Sequence, residues 1–188
     1  ALCFGINPIL LAGGLQSNSP ALAVSVGLLS GLGVLILLVP WLGGFQFDQL
    51  TASATVHFVL GGFFGVVLGR SALYMGIKQL GSARASTIKN GAPVVTALLA
   101  LVVLHETIEL ERWGGIFLVT IGLMIVGNMI SRHDIDRLSW SGLVFASLAP
   151  ISYGIRPIFS KIGLNLSPLP LAATLISYLT ALICYTGY

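Results

Sequence analysis

Charge is what this chain has least of. Only 8% of its 188 residues are Asp, Glu, Lys or Arg, where soluble domains run near a quarter. A soluble core of this size needs a polar shell that the chain cannot supply. Cysteine is nearly absent: Cys3 and Cys184 lie far apart in apolar stretches with no Cys-x-x-Cys spacing. That excludes a disulfide framework and a cysteine zinc site, and each reads as a small buried hydrophobe. Glu106, Glu109 and Glu111 have no accompanying His pair, and His105-Glu106 does not continue into His-Glu-x-x-His. No serine sits in a nucleophile elbow. These gaps remove catalytic residues, metal ligands and cofactors from the reading, so the chain is not read as an enzyme. The formal net charge of +3 comes from scattered cations rather than the dense basic patch of a nucleic-acid binder.

What is present is apolar sequence: 56% hydrophobic residues and a mean hydropathy of +0.98. A bilayer core needs roughly 20 helical residues to cross. Cutting at polar clusters predicts seven spans, near Ala1–Leu15, Ala21–Trp41, Val56–Ile77, Thr87–Leu104, Trp113–Ile130, Trp140–Ile162 and Pro168–Tyr188. Runs such as Val34–Val39 and Leu98–Leu104 lack the alternation of a barrel strand, and in hydrocarbon they satisfy their backbone only as helices. Several equivalent spans follow the first, which a cleavable signal peptide would not give. The fold class is therefore all-α polytopic membrane protein. Trp41, Trp113 and Trp140 fall near predicted helix ends, as interfacial anchors do, and Pro93 should bend or weaken the fourth helix.

Two patterns organise the spans. Gly61, Gly65 and Gly69 recur every four residues, and Gly27 and Gly31 form a similar pair. Such stripes let helix backbones approach closely, within the bundle or across a homodimer. Separately, Phe4-Gly5-Ile6-Asn7-Pro8-Ile9 returns as Tyr153-Gly154-Ile155-Arg156-Pro157-Ile158, and Leu15–Pro20 resembles Leu164–Pro168. Five spans separate the copies, so the second is expected upside down, as in the inverted repeats of carriers. Chance similarity of two proline-kinked helices is the alternative.

From the third span onward the residues resemble a known family. Ala72–Ile77 followed by Gly81–Ser86, then Pro93–Leu101 with Leu104-His105-Glu106, then Trp113–Ile116 and Ile121–Leu123 resemble the third to fifth helices of EamA-type carriers, in the drug/metabolite transporter superfamily. The resemblance implies ten helices in two inverted modules. Residues 1–137 would form a first five-helix module lacking its N-terminal turns. Residues 138–188 would be the first two helices of a second module whose remaining helices are missing. Lys161 stands near a position where many relatives carry Lys, whereas the matching first-helix residue is Ala12. Small relatives that expel cationic drugs carry a Glu in their first helix, and nothing between Ala1 and Leu15 is acidic.

Polar residues inside the spans are the site candidates. Arg70 and Arg156 are costly in hydrocarbon unless they face the bundle or a water-filled cavity. There a guanidinium would suit an anionic or zwitterionic substrate. The alternatives are snorkelling to an interface and structural pairing. Lys89 and Asn90 open the fourth helix one turn before Pro93, where they would contact a substrate or anchor a loop. Asn7 would contact substrate or satisfy the backbone kinked by Pro8. Tyr153, with Tyr74 and Tyr178, would line a cavity or simply pack. Lys78, Arg84, Lys89, Arg132 and Arg137 cluster on one side and Arg112 and Lys161 near the other, which leaves the absolute orientation open. The expected function is a secondary transporter moving a small polar or amphipathic metabolite by alternating access, in the cell membrane as a multi-pass protein. A coupling proton or ion is among its expected partners. The competing reading is a noncatalytic membrane scaffold or accessory subunit.

Overall fold

The computed structural model describes residues 13–15, 19–42, 47–105, 109–131 and 139–186. All secondary structure among the described residues is helical. Residues 13–15 are helical, and α1 follows as Pro20–Leu38, prolonged by a 3-10 turn at Val39–Leu42. A short turn at Phe47–Gln49 leads into α2, the continuous helix Ala52–Leu80. Then come α3 (Ser82–Lys89), α4 (Ala92–Val103), α5 (Leu110–Ser131), α6 (Trp140–Leu166) and α7 (Pro170–Thr186).

Local chemistry sets the helix ends. Ser19 caps α1 by accepting from the Leu22 N–H at 3.2 Å, with Pro20 at the first helical position. Thr51 caps α2 through the Ala54 N–H at 3.3 Å, and Ser139 caps α6 through the Gly142 N–H. Each supplies an acceptor to a donor the helix itself cannot satisfy. Gly81 stops α2 with φ +87°, a conformation that only glycine enters cheaply.

Apolar side chains face outward on a scale that water would not tolerate. Trp41 is 88% exposed, Leu118 72% and Ile183 70%. The fully buried positions are instead dominated by small residues, including Ala54, Ala85, Ala146, Ala149, Ala172 and Ala181. That inversion suits a bundle packed in lipid, where close backbone approach replaces the hydrophobic drive. Pro20–Trp41, Ala52–Leu80, Ser82–Val103 and Trp140–Leu166 are long and apolar enough to cross a membrane, with shorter apolar helices at Trp113–Leu123 and Pro170–Thr186. The protein is an all-α polytopic membrane protein. Trp41, Trp113 and Trp140 stand exposed at helix ends, as anchors should.

Helix α2 is the axis of the bundle. It runs antiparallel to α6: Phe58 meets Gly163, Gly61 meets Ser160, Gly65 meets Arg156, Gly69 meets Tyr153 and Gly76 meets Ala146. Both ends of this seam are tied. Ser167 Oγ accepts from the Thr51 N–H at 3.1 Å and donates to the Gln49 carbonyl at 3.0 Å. At the other end Ser141 Oγ donates to Gln79 Oε1 at 2.5 Å. Helix α7 lies parallel to α2, with Ala173 against Ala54 and Phe58, and Ser177 against Gly62. Helix α1 is antiparallel to both, Gly27 facing Arg70 and Gly31 facing Tyr178. Both glycine stripes are therefore used inside the bundle.

Three expectations need correction. The fourth span begins at Ser82 rather than Thr87, and the expected weakening by Pro93 takes the form of a break at Asn90–Gly91. Pro93 has no N–H to return to the Lys89 carbonyl, and it sits in the first turn of α4, where a proline is tolerated. Cys184 is exposed rather than buried, on the same outward surface as Ile183. Helix α6 runs to Leu166, with Pro150 as well as Pro157 inside it. The first span apart from residues 13–15 lies outside the described residues, and with it Asn7, Pro8 and the proposed superposition of spans one and six.

Candidate functional site

Charged residues in the middle of apolar helices need a polar surrounding, and the packing of α2 against α6 provides one. A cavity of about 840 Å³ opens between α1, α2, α3, α4 and α6. Arg70, Lys89, Asn90, Tyr153 and Arg156, five of the six residues singled out from sequence, line it together. The sixth, Asn7, lies outside the described residues. Tyr74, also noted among the tyrosines, joins the wall, while Tyr178 acts one layer back through Arg70. Ser30, Ser86 and Pro93 also line it.

The glycine stripes make room for these side chains. A Cβ on Gly65 would strike the Arg156 stem, and one on Gly69 would touch the Tyr153 ring at 3.5 Å. A Cβ on Gly27 would come within 3.7 Å of Arg70 Nη1, and one on Gly31 within 2.7 Å of the Tyr178 ring. The stripes therefore serve the cavity as well as the packing. They let two arginines and two tyrosines occupy space between helices that larger residues would fill.

Position along the helices distinguishes the two arginines. Gly65 falls near the middle of the 29-residue α2, roughly 20 Å from either end at 1.5 Å per residue. Arg156, packed on it, thus sits near the middle of that helix's length. Arg70 is partly secured: its guanidinium lies 5.5 Å from the Tyr178 ring centroid, with a long 3.5 Å contact from Nη2 to the phenol oxygen. Among the described residues neither Arg156 nor Lys89 takes a hydrogen bond or salt bridge, and no buried side-chain nitrogen or oxygen lacks a partner. Their charged heads therefore open into the cavity.

Two backbone features surround the site. Phe63–Leu68 is a π-helical stretch inside α2, closed by the Gly69 N–H on the Phe64 carbonyl. Its widened turn is steadied by side chains from outside it. Ser71 Oγ donates to the Val67 carbonyl, and the Tyr185 hydroxyl, 3.2 Å from that carbonyl, is placed to donate to Ser71 Oγ. Ser177 Oγ donates to the Phe58 carbonyl at 3.2 Å. Such insertions concentrate at functional positions, and this one contains Gly65, the contact of Arg156. On α6, Pro157 cannot donate to the Tyr153 carbonyl. One residue along, the Gly154 carbonyl accepts from Thr96 Oγ1 of α4 at 3.2 Å, so α4 is fastened beside the proline. Hydroxyl residues at Ser71, Ser177 and Tyr185 in otherwise apolar spans were the available signal for these contacts.

The set comprises three cations, hydroxyls and aromatic rings in a concave space of the size small-molecule sites occupy. It holds no metal-binding group, and no cluster of His, Cys, Asp or Glu that could bind a metal occurs among the described residues.

Comparison with known proteins agrees with such a bundle. The EamA-like transporter family matches residues 1–128. A Bacillus subtilis (strain 168) protein named "Uncharacterized transporter YyaM" is 30% identical over 131 residues, 69% of this chain and 41% of that relative. The chain thus spans well under two thirds of that relative's length. No solved structure matches the chain. Since the family match takes in well over half of the residues and coincides with helices that wall the cavity, the chain belongs to the EamA-like transporter family.

Proposed function

We propose that the protein is a secondary transporter that moves a small polar or amphipathic metabolite across the cell membrane by alternating access, with the central cavity as its substrate site. The observation that carries this reading is the convergence of Arg70, Lys89 and Arg156 from three separate elements on one cavity within apolar helices. A scaffold or accessory subunit has no use for bare cations there, and each would cost stability with no return. Family membership supports the transport class. In this reading residues 1–137 form one five-helix module, and α6 with α7 opens a second, inverted one. The antiparallel contact of α1 with α7 is the direction that a two-fold axis in the membrane plane would give to equivalent helices. The seam of α2 with α6, tied at both ends, joins the two modules. Opening and closing then falls to helices outside that seam, α1 and α4 first among them.

The test is a metabolite-loss screen in vesicles containing the full-length protein. Loaded with a mixed pool of small metabolites, they should lose a defined subset at least tenfold faster than protein-free vesicles. Equal loss of every solute from both would reject transport and leave the scaffold reading.

A further inference from the structure

Among the described residues the cavity has fixed positive charge and no carboxylate to balance it. Arg70 comes from α2, Lys89 from α3 and Arg156 from α6, and no Asp, Glu or His is among the residues that line the space. The imbalance extends to the whole sequence. Of its six acidic residues, Asp48, Glu109 and Glu111 are described; they lie in connections or, for Glu111, in the first turn of α5, and none of the three lines the cavity. None of the six lies among residues 1–15.

Resting on the transport reading above, we propose that the cargo is a multivalent organic anion, a dicarboxylate or phosphate ester, and that the carrier exchanges one such anion for another. A zwitterion would leave the excess charge of the site unchanged, and an organic cation would add to it. Two acidic groups on one solute would neutralise most of it. The paired guanidiniums offer planar forks suited to carboxylate or phosphate oxygens, and Lys89 offers a compact third charge. Tyr74 and Tyr153 present hydroxyls and ring faces to the body of the solute. Exchange follows from the same imbalance. Closing the empty cavity would strip water from three uncompensated cations, so the carrier crosses readily only when loaded. The cavity lining contains no carboxylate or imidazole to carry a proton in place of the anion.

The test uses full-length protein in phosphatidylcholine vesicles with labelled succinate, glycerol 3-phosphate, leucine or tetraethylammonium outside. Vesicles preloaded with unlabelled succinate or glycerol 3-phosphate should take up the labelled anion at least tenfold faster than vesicles holding buffer or leucine. Arg156→Gln and Arg70→Gln should each remove most of that stimulation. The same anions should raise the unfolding temperature of the detergent-solubilised protein, and the shift should vanish in Arg156→Gln. Faster flux of leucine or tetraethylammonium would overturn the anion assignment while leaving transport standing. Anion uptake indifferent to the internal anion would overturn exchange. An anion-induced thermal shift without flux of any solute would keep the anion site and reject the transport reading. Added phosphatidylglycerol should leave exchange unchanged. If that lipid alone gave the thermal shift, the site would belong to a lipid headgroup and the proposal would fall.

Discussion

Arg156→Gln, compared with wild type at matched membrane abundance, should lower solute flux by about 10- to 100-fold, the range that loss of a charge-assisted hydrogen bond of about 1.5–3 kcal/mol predicts. The glutamine keeps part of the stem that packs on Gly65, so folded yield should stay near that of wild type. Arg70→Gln should also cut flux, with a larger penalty on the fold, because Arg70 additionally rests on the Tyr178 ring. Arg156→Lys should recover only part of the activity, since an ammonium cannot reproduce the planar fork. Flux that falls only in proportion to folded protein would make both arginines structural.

The glycine series should separate fold from site. A Cβ at Gly62 would lie 2.6 Å from the Ser177 Cα and 2.7 Å from its carbonyl oxygen. A backbone contact cannot rotate away. Gly62→Val must push α7 off α2 and strain the bond from Ser177 to the Phe58 carbonyl, so it should destabilise the protein by about 3 kcal/mol, toward the upper end for overpacked cores. Gly65→Ala presses instead on the stem of Arg156, including Cβ and Cγ at 2.7 Å. The outer stem can swing aside, at the expense of its aim into the cavity. The Cβ is fixed to the α6 backbone, so α6 must shift as well and the loss should appear in both flux and melting temperature. Gly33 has nothing within 4 Å of its Cβ position, and Gly33→Ala should be neutral or stabilising by about 0.5–1 kcal/mol. Thermal unfolding in detergent with parallel flux measurements would check the series. Equal behaviour of the Gly62 and Gly33 variants would contradict the packing described.

Why some of this was legible and some not follows from where the causes lie. Arg70 and Arg156 stood out because a charge within an apolar span is costly wherever the chain folds, and Gly61, Gly65 and Gly69 because their spacing repeats the helical turn. What the sequence could not say is which helix fills the space beside a glycine stripe. Only the register of α2 on α6 showed that Gly65 accommodates Arg156. The π-helical stretch was hidden for a similar reason: Phe63–Leu68 is ordinary apolar helix by composition. Hydroxyls more than a hundred residues away, on Ser177 and Tyr185, bond to groups at and beside it. The break at Asn90–Gly91 was closer to reach. Pro93 denies a partner to the Lys89 carbonyl, which places the weak point just before the proline rather than at it. Cys184 was misread because an apolar stretch in a membrane helix has a lipid side as well as a buried side.

The account stands most directly on the cavity being a water-filled, cation-lined chamber that cargo occupies during transport. Ser30, on the cavity wall contributed by α1, can report on this as Ser30→Cys in a background without other cysteines. Its reaction with thiosulfonate reagents of equal size and opposite charge would be followed in membranes, with and without a solute that the vesicle screen identifies. The anionic reagent should react several-fold faster than the cationic one, and saturating solute should slow it at least fivefold. A cysteine that does not react with either reagent, or that reacts equally with both and is indifferent to transported solute, would contradict the assignment of this cavity as the transport site.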